Sequence, residues 1–119
     1  METTQSMLQA TANAACDYLR IHKAFWPRVY LNRPAWVTDK DAKSSYALTD
    51  WDNYIENPES WVNMPMCRVE NVSPVRILMH EVAHIYVEHS TPFKYYHEKL
   101  ADIFERLLFD LVEGGIIAI

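Results

Sequence analysis

The stretch that most constrains the fold is residues 73–88, SPVRILMHEVAHIYVE, which has the pattern of one uninterrupted helix. Ser73 can cap free N–H groups at its start, and Pro74 suits the first helical position. The sequence Ser90-Thr91-Pro92 ends the pattern. Apolar residues recur at helical spacing: Val75, Leu78, Met79, Val82 and Tyr86. Ile77 and Val87 extend the apolar surface, which predicts a helix buried on more than one side.

Inside this helix lies an H-E-x-x-H set formed by His80, Glu81 and His84. Two histidines four residues apart lie one turn apart, so both imidazoles can reach one zinc ion at about 2.0–2.1 Å. Glu81 then points beside the metal, where a general base is needed to take a proton from an activated water. The alternative is a pair of ordinary surface histidines on an amphipathic helix.

Length and composition favour one globular domain over residues 1–119, since half the residues are hydrophobic and a chain of 14.0 kDa holds one core. The net charge of -5 is evenly spread without a basic patch, so nucleic-acid binding is not expected. With no signal-peptide pattern and no apolar run long enough for a bilayer, we expect a cytoplasmic protein that does not bind membranes. Cys16 and Cys67 lack zinc-site spacing and are predicted to be buried, reduced thiols.

Upstream of the H-E-x-x-H helix, the sequence predicts a helix and then a small sheet. Residues 3–25 are rich in alanine with apolar residues at helical intervals, and Pro27 ends them. Residues 28–31, 44–49 and 61–64 have the β-branched and aromatic content of short strands. Asn, Asp and Pro separate them as turns. We predict a three-stranded, mainly antiparallel sheet.

A second strong helix is predicted over residues 95–113. Its apolar stripe consists of Leu100, Ile103, Phe104, Leu107, Leu108, Leu111 and Val112. Gly114 and Gly115 supply the C-terminal stop. The fold class is therefore α+β: an N-terminal helix, a small sheet, the metal helix and a C-terminal helix that carries Glu98. The tail 116–119 could pack on the domain, pair with a sheet edge or cover the site.

A catalytic zinc site takes three protein ligands and one open position, so two histidines leave one ligand to be found. The candidates are His89, His97, Glu98 and Asp102. His89 follows His84 by five residues, which turns it roughly 140° away on the same helix. Both acidic residues also have an explanation without metal. Glu98 could interact favourably with the dipole at the helix N-terminus, and Asp102 could form an ion pair with Arg106 at i+4.

An H-E-x-x-H helix followed by E-x-x-A-D, here residues 98–102, resembles the gluzincin zinc metallopeptidases, especially the compact ImmA/IrrE-type peptidases and the minigluzincins. The resemblance covers residues 73–112. In this chain Glu105 stands where the ImmA/IrrE-type pattern has a small residue.

The resemblance implies a zincin-like fold with zinc bound by His80, His84 and Glu98. It also implies that Glu81 is the general base and that Asp102 orients a ligand histidine by accepting its other N–H. His97 remains an alternative ligand. Stabilisation of the oxyanion calls for a further donor, and the candidates by residue type are Tyr46, Tyr95, Tyr96 and His97.

The implied activity is hydrolysis of peptide bonds in a narrow protein or peptide substrate, with a regulatory protein as one class of substrate. The peptide would lie extended along one strand of the sheet. Two other interpretations stay open. One is a zinc-bearing interaction module that binds a partner without turnover, and the other is a structural domain without metal. Substrate identity and oligomeric state do not follow from the sequence.

Overall fold

A computed structural model describes residues 3–50, 57–90 and 97–118. The described chain is α+β, which confirms the predicted class, with a helix first and the Glu98-bearing helix last. The helices are α1 (Gln5–Tyr18), α2 (Asp39–Ser44), α3 (Met64–Glu70), α4 (Pro74–Ser90) and α5 (His97–Glu113), and the strands are β1 (Arg28–Tyr30), β2 (Ala47–Asp50) and β3 (Glu59–Val62).

Helix α1 is shorter than the predicted helix over residues 3–25. It begins after Thr4, whose hydroxyl accepts from the N–H of Met7, and it ends at Tyr18. Arg20 adopts a left-handed conformation with φ of 57°, and the N–H of Ile21 returns to the carbonyl of Cys16 at 2.9 Å. This closure turns Ile21 into the core, where it is buried. Residues after the turn form only a short 3-10 helix, Lys23–Phe25.

The sheet is mixed, whereas the sequence predicted mainly antiparallel pairing. Its order is β1-β3-β2, with β3 parallel to β1 and antiparallel to β2. Between β1 and β2 lies α2, which ends at Ser44, the first residue of the predicted second strand. Thr38 caps α2 by accepting from the N–H of Asp41, so a helix rather than a hairpin turn separates β1 from β2.

Helix α4 lies at the centre of the molecule and packs against α1, α5 and the sheet. Its fully buried residues are Leu78, Met79, Val82, Ala83, Ile85 and Val87. The prediction of a helix buried on more than one side is therefore confirmed. Helix α5 runs alongside α4 and buries Ala101 and Leu108 completely.

The described part of the C-terminal tail packs on the domain. Gly115 takes a φ of 75° just beyond α5, and Ile117 returns its N–H to the carbonyl of Leu111. Ile117 is buried in the core, while Ile116 is exposed. Of the three predicted alternatives for the tail, packing on the domain is the one that the structure favours.

Both cysteines are buried free thiols, as predicted. Burial raises the pKa of the Cys16 thiol to about 12, so this side chain stays neutral and behaves as a small apolar group. Within the described ranges, none of the helices combines the length and the hydropathy needed to cross a bilayer.

Candidate metal centre

Helix α4 presents both histidines of the H-E-x-x-H set to a cleft between α4 and β2. The Nε2 atoms of His80 and His84 face each other at 2.9 Å, and the two rings meet edge to face with centroids 4.5 Å apart. The cleft has a volume of about 580 Å³. Its walls include residues 44–49, the two histidines, Glu81 and Glu105.

Helix α5 brings Glu98 to the two facing nitrogens. Its Oε1 atom lies 3.1 Å from Nε2 of His80, and its Oε2 atom lies 3.3 Å from Nε2 of His84. Four-coordinate zinc with ligand distances of about 2.0–2.1 Å separates neighbouring donor atoms by roughly 3.3 Å. Two imidazoles and a carboxylate are also a donor set that zinc accepts. These three side chains therefore fit a metal ion of this kind.

Glu81 lies beside the facing nitrogens in a buried environment. One of its carboxylate oxygens lies within 4.8 Å of the donor atoms of His80 and His84, so the three could also form a metal-binding group. The hydroxyl of Thr49 donates to Oε1 of Glu81 at 2.7 Å and lies 2.8 Å from the hydroxyl of Ser60. Since a hydroxyl has one proton, Ser60 must donate to Thr49.

The pKa of Glu81 is set by opposing effects. Burial raises it above that of an ordinary glutamate, because a charged carboxylate loses its hydration. The hydrogen bond from Thr49 and the charge of His80 act in the opposite direction, and Glu98 adds repulsion that raises it. Burial lowers the pKa of His84, because it disfavours the charged imidazolium. The neutral imidazole that metals bind is therefore favoured.

The second ring nitrogen of His80 contacts a residue that sequence analysis did not place in the site. Oε1 of Glu105 lies 2.8 Å from Nδ1 of His80, and Nε of Arg76 donates to the other oxygen of Glu105 at 2.7 Å. Asp102, the predicted orienting carboxylate, lies farther from the same nitrogen at 3.5 Å. The signal was present in the spacing, because residues 98, 102 and 105 share one face of a helix.

His97, the alternative ligand, lies on the other side of His84. Its Nδ1 atom is 3.0 Å from Nδ1 of His84, the rings stack at 4.9 Å, and its Nε2 atom is 3.3 Å from Glu88. His97 therefore contacts His84 at Nδ1 and not at the Nε2 atom that faces His80. This geometry suits a partner of a ligand better than a ligand.

The other predicted site residues are the candidate oxyanion donors Tyr46, Tyr95 and Tyr96 and the candidate ligand His89. Tyr46 lines the cleft. Tyr95 and Tyr96 lie outside the described residues, as does the side chain of His89.

Comparisons with protein-family models, with curated proteins and with solved structures find no match to this chain. The resemblance to gluzincins therefore stays a prediction from residues 73–112. Any function has to be inferred from the chemistry of the site itself.

Proposed function

We propose that this chain is a small cytoplasmic zinc metallopeptidase of the gluzincin type that hydrolyses peptide bonds in a narrow range of protein substrates. The observation that carries the proposal is the approach of Glu98 to both facing Nε2 atoms of His80 and His84. A surface histidine pair would not call for a carboxylate from another helix at this position. The buried carboxylate of Glu81 beside the same atoms supports a catalytic rather than a structural metal.

In this proposal His80, His84 and Glu98 hold the zinc ion. When bound, zinc supplies a Lewis acid that polarises a carbonyl group and makes a water molecule more acidic. The pairing of neutral imidazoles with one carboxylate leaves a net positive charge at the metal. That charge offsets the cost of keeping Glu81 ionised in a buried environment.

Glu81 acts as the general base in this proposal. Its carboxylate takes a proton from the attacking water and later gives it to the departing amine. Thr49 holds the Oε1 atom, which leaves Oε2 for the water proton. Burial makes the carboxylate more basic than that of an exposed glutamate, which suits proton transfer near neutral pH.

In this proposal the substrate peptide binds along the outer edge of strand β2. This strand pairs with β3 along one edge and borders the cleft, so an extended peptide could add as a further strand beside it. Tyr46 precedes β2 and lines the cleft, which makes it the described tyrosine best placed to steady the oxyanion. The cleft volume falls within the roughly 300–1,000 Å³ of small-ligand sites, so it takes only a few residues around the scissile bond.

The test compares the native protein with Glu81→Gln and with Glu113→Gln, an exposed control on α5. Zinc content is measured on each pure protein after loading and dialysis. New protein N-termini are then quantified after each protein is expressed in the same cells. We expect all three to retain zinc, and Glu81→Gln to lose at least about 100-fold in cleavage because it lacks the general base.

Two results would contradict the proposal in different ways. If the native protein and Glu81→Gln both bind zinc and yield the same N-termini, the peptidase proposal is wrong and the zinc-bearing interaction module is the remaining zinc-dependent interpretation. If the native protein retains no zinc, the metal-dependent proposal as a whole is wrong.

A further inference from the structure

His80 has two ring nitrogens, and a carboxylate from the neighbouring helix contacts the one that faces away from His84. We infer that Glu105, held by Arg76, is the positioning residue that fixes the orientation and tautomer of His80, in place of Asp102. The inference rests on the proposed function, because it assumes that Nε2 of His80 binds zinc.

The two rival carboxylates differ in both distance and exposure. Glu105 lies 2.8 Å from Nδ1 of His80 and its side chain is 16% exposed, whereas Asp102 lies 3.5 Å away and is 63% exposed. A contact of 2.8 Å is a short charge-assisted hydrogen bond. The longer contact of Asp102 competes with water, because most of its side chain is solvated.

Arg76 fixes the carboxylate of Glu105 in one orientation. It lies one turn before His80 on α4, and its Nε atom donates to Oε2 of Glu105 while Oε1 faces His80. The Arg76 guanidinium also lies over the ring of Phe109, 5.8 Å from its centroid. Both oxygens of Glu105 are thus engaged by groups on α4, which ties α5 to α4 beside the candidate metal centre.

The chemistry of this contact determines where the proton of His80 resides. A carboxylate can only accept, so Nδ1 of His80 must carry the hydrogen that is donated to Glu105. Neutral imidazole has one such hydrogen, so the lone pair of Nε2 is left for a metal ion that His84 and Glu98 would also bind. Partners of this kind keep the ring in the metal-binding orientation and raise its basicity.

The test uses Glu105→Ala and Asp102→Ala, which each remove one carboxylate close to His80 and so match each other in charge. Zinc affinity is measured by competition with a chromophoric chelator. We expect Glu105→Ala to weaken zinc binding by about 10- to 100-fold, the usual effect of losing such a partner. Asp102→Ala should weaken it by less than about threefold, since exposed charge pairs contribute little. Glu105→Gln keeps an acceptor oxygen and should fall between them.

A second readout does not depend on zinc. In the metal-free protein the Glu98 carboxylate lies 3.1 Å from Nε2 of His80 and would also accept a hydrogen there, so this comparison is made in a Glu98→Ala background. ¹⁵N NMR reports which nitrogen of His80 carries the proton, and we expect the Nδ1–H tautomer in Glu98→Ala and a mixture when Glu105→Ala is added. An equal or larger loss of affinity in Asp102→Ala would overturn the inference, as would unchanged affinity in all variants. If the native protein binds no zinc, the proposed function fails, and an Nε2–H tautomer of His80 in the metal-free Glu98→Ala protein would overturn this inference separately. If Glu105→Ala does not fold, Glu105→Gln provides the comparison with Asp102→Ala.

Discussion

The two helices that form the candidate metal centre differ in how they are held. Helix α4 has five fully buried residues from Leu78 to Ile85, with His80, Glu81 and His84 interleaved among them. Helix α5 is fully buried only at Ala101 and Leu108, and the side chain of Glu98 is 70% exposed. The imidazoles and the candidate base therefore lie on a backbone fixed by the core, whereas the candidate third ligand reaches in from the surface.

This difference indicates that the two imidazoles are held rigidly, whereas the side chain of Glu98 can adjust its position. Close packing on α4 fixes the spacing of the two imidazoles before any metal binds, which reduces the entropy lost on binding. An exposed glutamate on α5 can change rotamer to meet the ion. Substitutions of the fully buried residues of α4 should therefore alter folding, while substitutions of the candidate metal ligands should alter metal binding with little effect on the fold.

The largest expected effect is on stability, and it compares Leu78→Ala on α4 with Leu107→Ala on α5. Leu78 is fully buried, so its truncation leaves a cavity and should lower the free energy of unfolding by about 2–5 kcal/mol. Leu107 is 50% exposed, so its truncation should cost at most about 1 kcal/mol. Urea unfolding followed by circular dichroism measures both. Equal losses would show that α5 is as tightly packed as α4.

A somewhat smaller effect is expected on zinc affinity, where His84→Ala is compared with Glu98→Ala. If the roughly 10–16 kcal/mol of structural zinc sites is divided evenly among four ligands, losing His84 should weaken binding by about 100- to 1,000-fold. Glu98→Ala should weaken zinc binding less than His84→Ala, because water can replace a ligand at an exposed position.

Chelator competition measures both affinities, with Glu113→Ala at the far end of α5 as the control. Both ligand variants should unfold at nearly the native urea concentration. A Glu98→Ala protein that binds zinc as tightly as the control would remove Glu98 from the ligand set.

The sequence predicted best the parts of the fold that depend on local periodicity. Helix α4 was predicted because its caps and apolar spacing lie within one stretch, and the shared face of residues 98 and 102 follows from helix geometry in the same way. The end of α1 was not predicted. Its left-handed Arg20 is stabilised by the burial of Ile21 in the core, which involves contacts distant in sequence.

The outer contacts of the site depend on distances between elements and could not be predicted from spacing alone. Helix periodicity places Asp102 and Glu105 near one face, but the packing of α5 on α4 decides which one reaches His80. Thr49 is 32 residues from Glu81, and its hydrogen bond depends on the register of β2 beside β3. Strands β2 and β3 pair antiparallel but are separated by residues 51–58, a connection longer than the two-residue loops that fix a hairpin register.

The smallest expected effect tests whether α4 alone sets the chemistry of Glu81 or whether the sheet contributes. In Thr49→Val the carboxylate loses a donor that stabilises its charged form, so the pKa of Glu81 should rise further. A higher pKa means that the base is protonated, and hence inactive, at a higher pH, so the acid limb of kcat/KM should move upward by the same amount. Thr49→Ser keeps the hydroxyl and should resemble the native protein. Titration of the Glu81 carboxyl by ¹³C NMR in the metal-free protein measures the pKa directly, and identical curves for the Val and Ser variants would show that β2 does not tune the base.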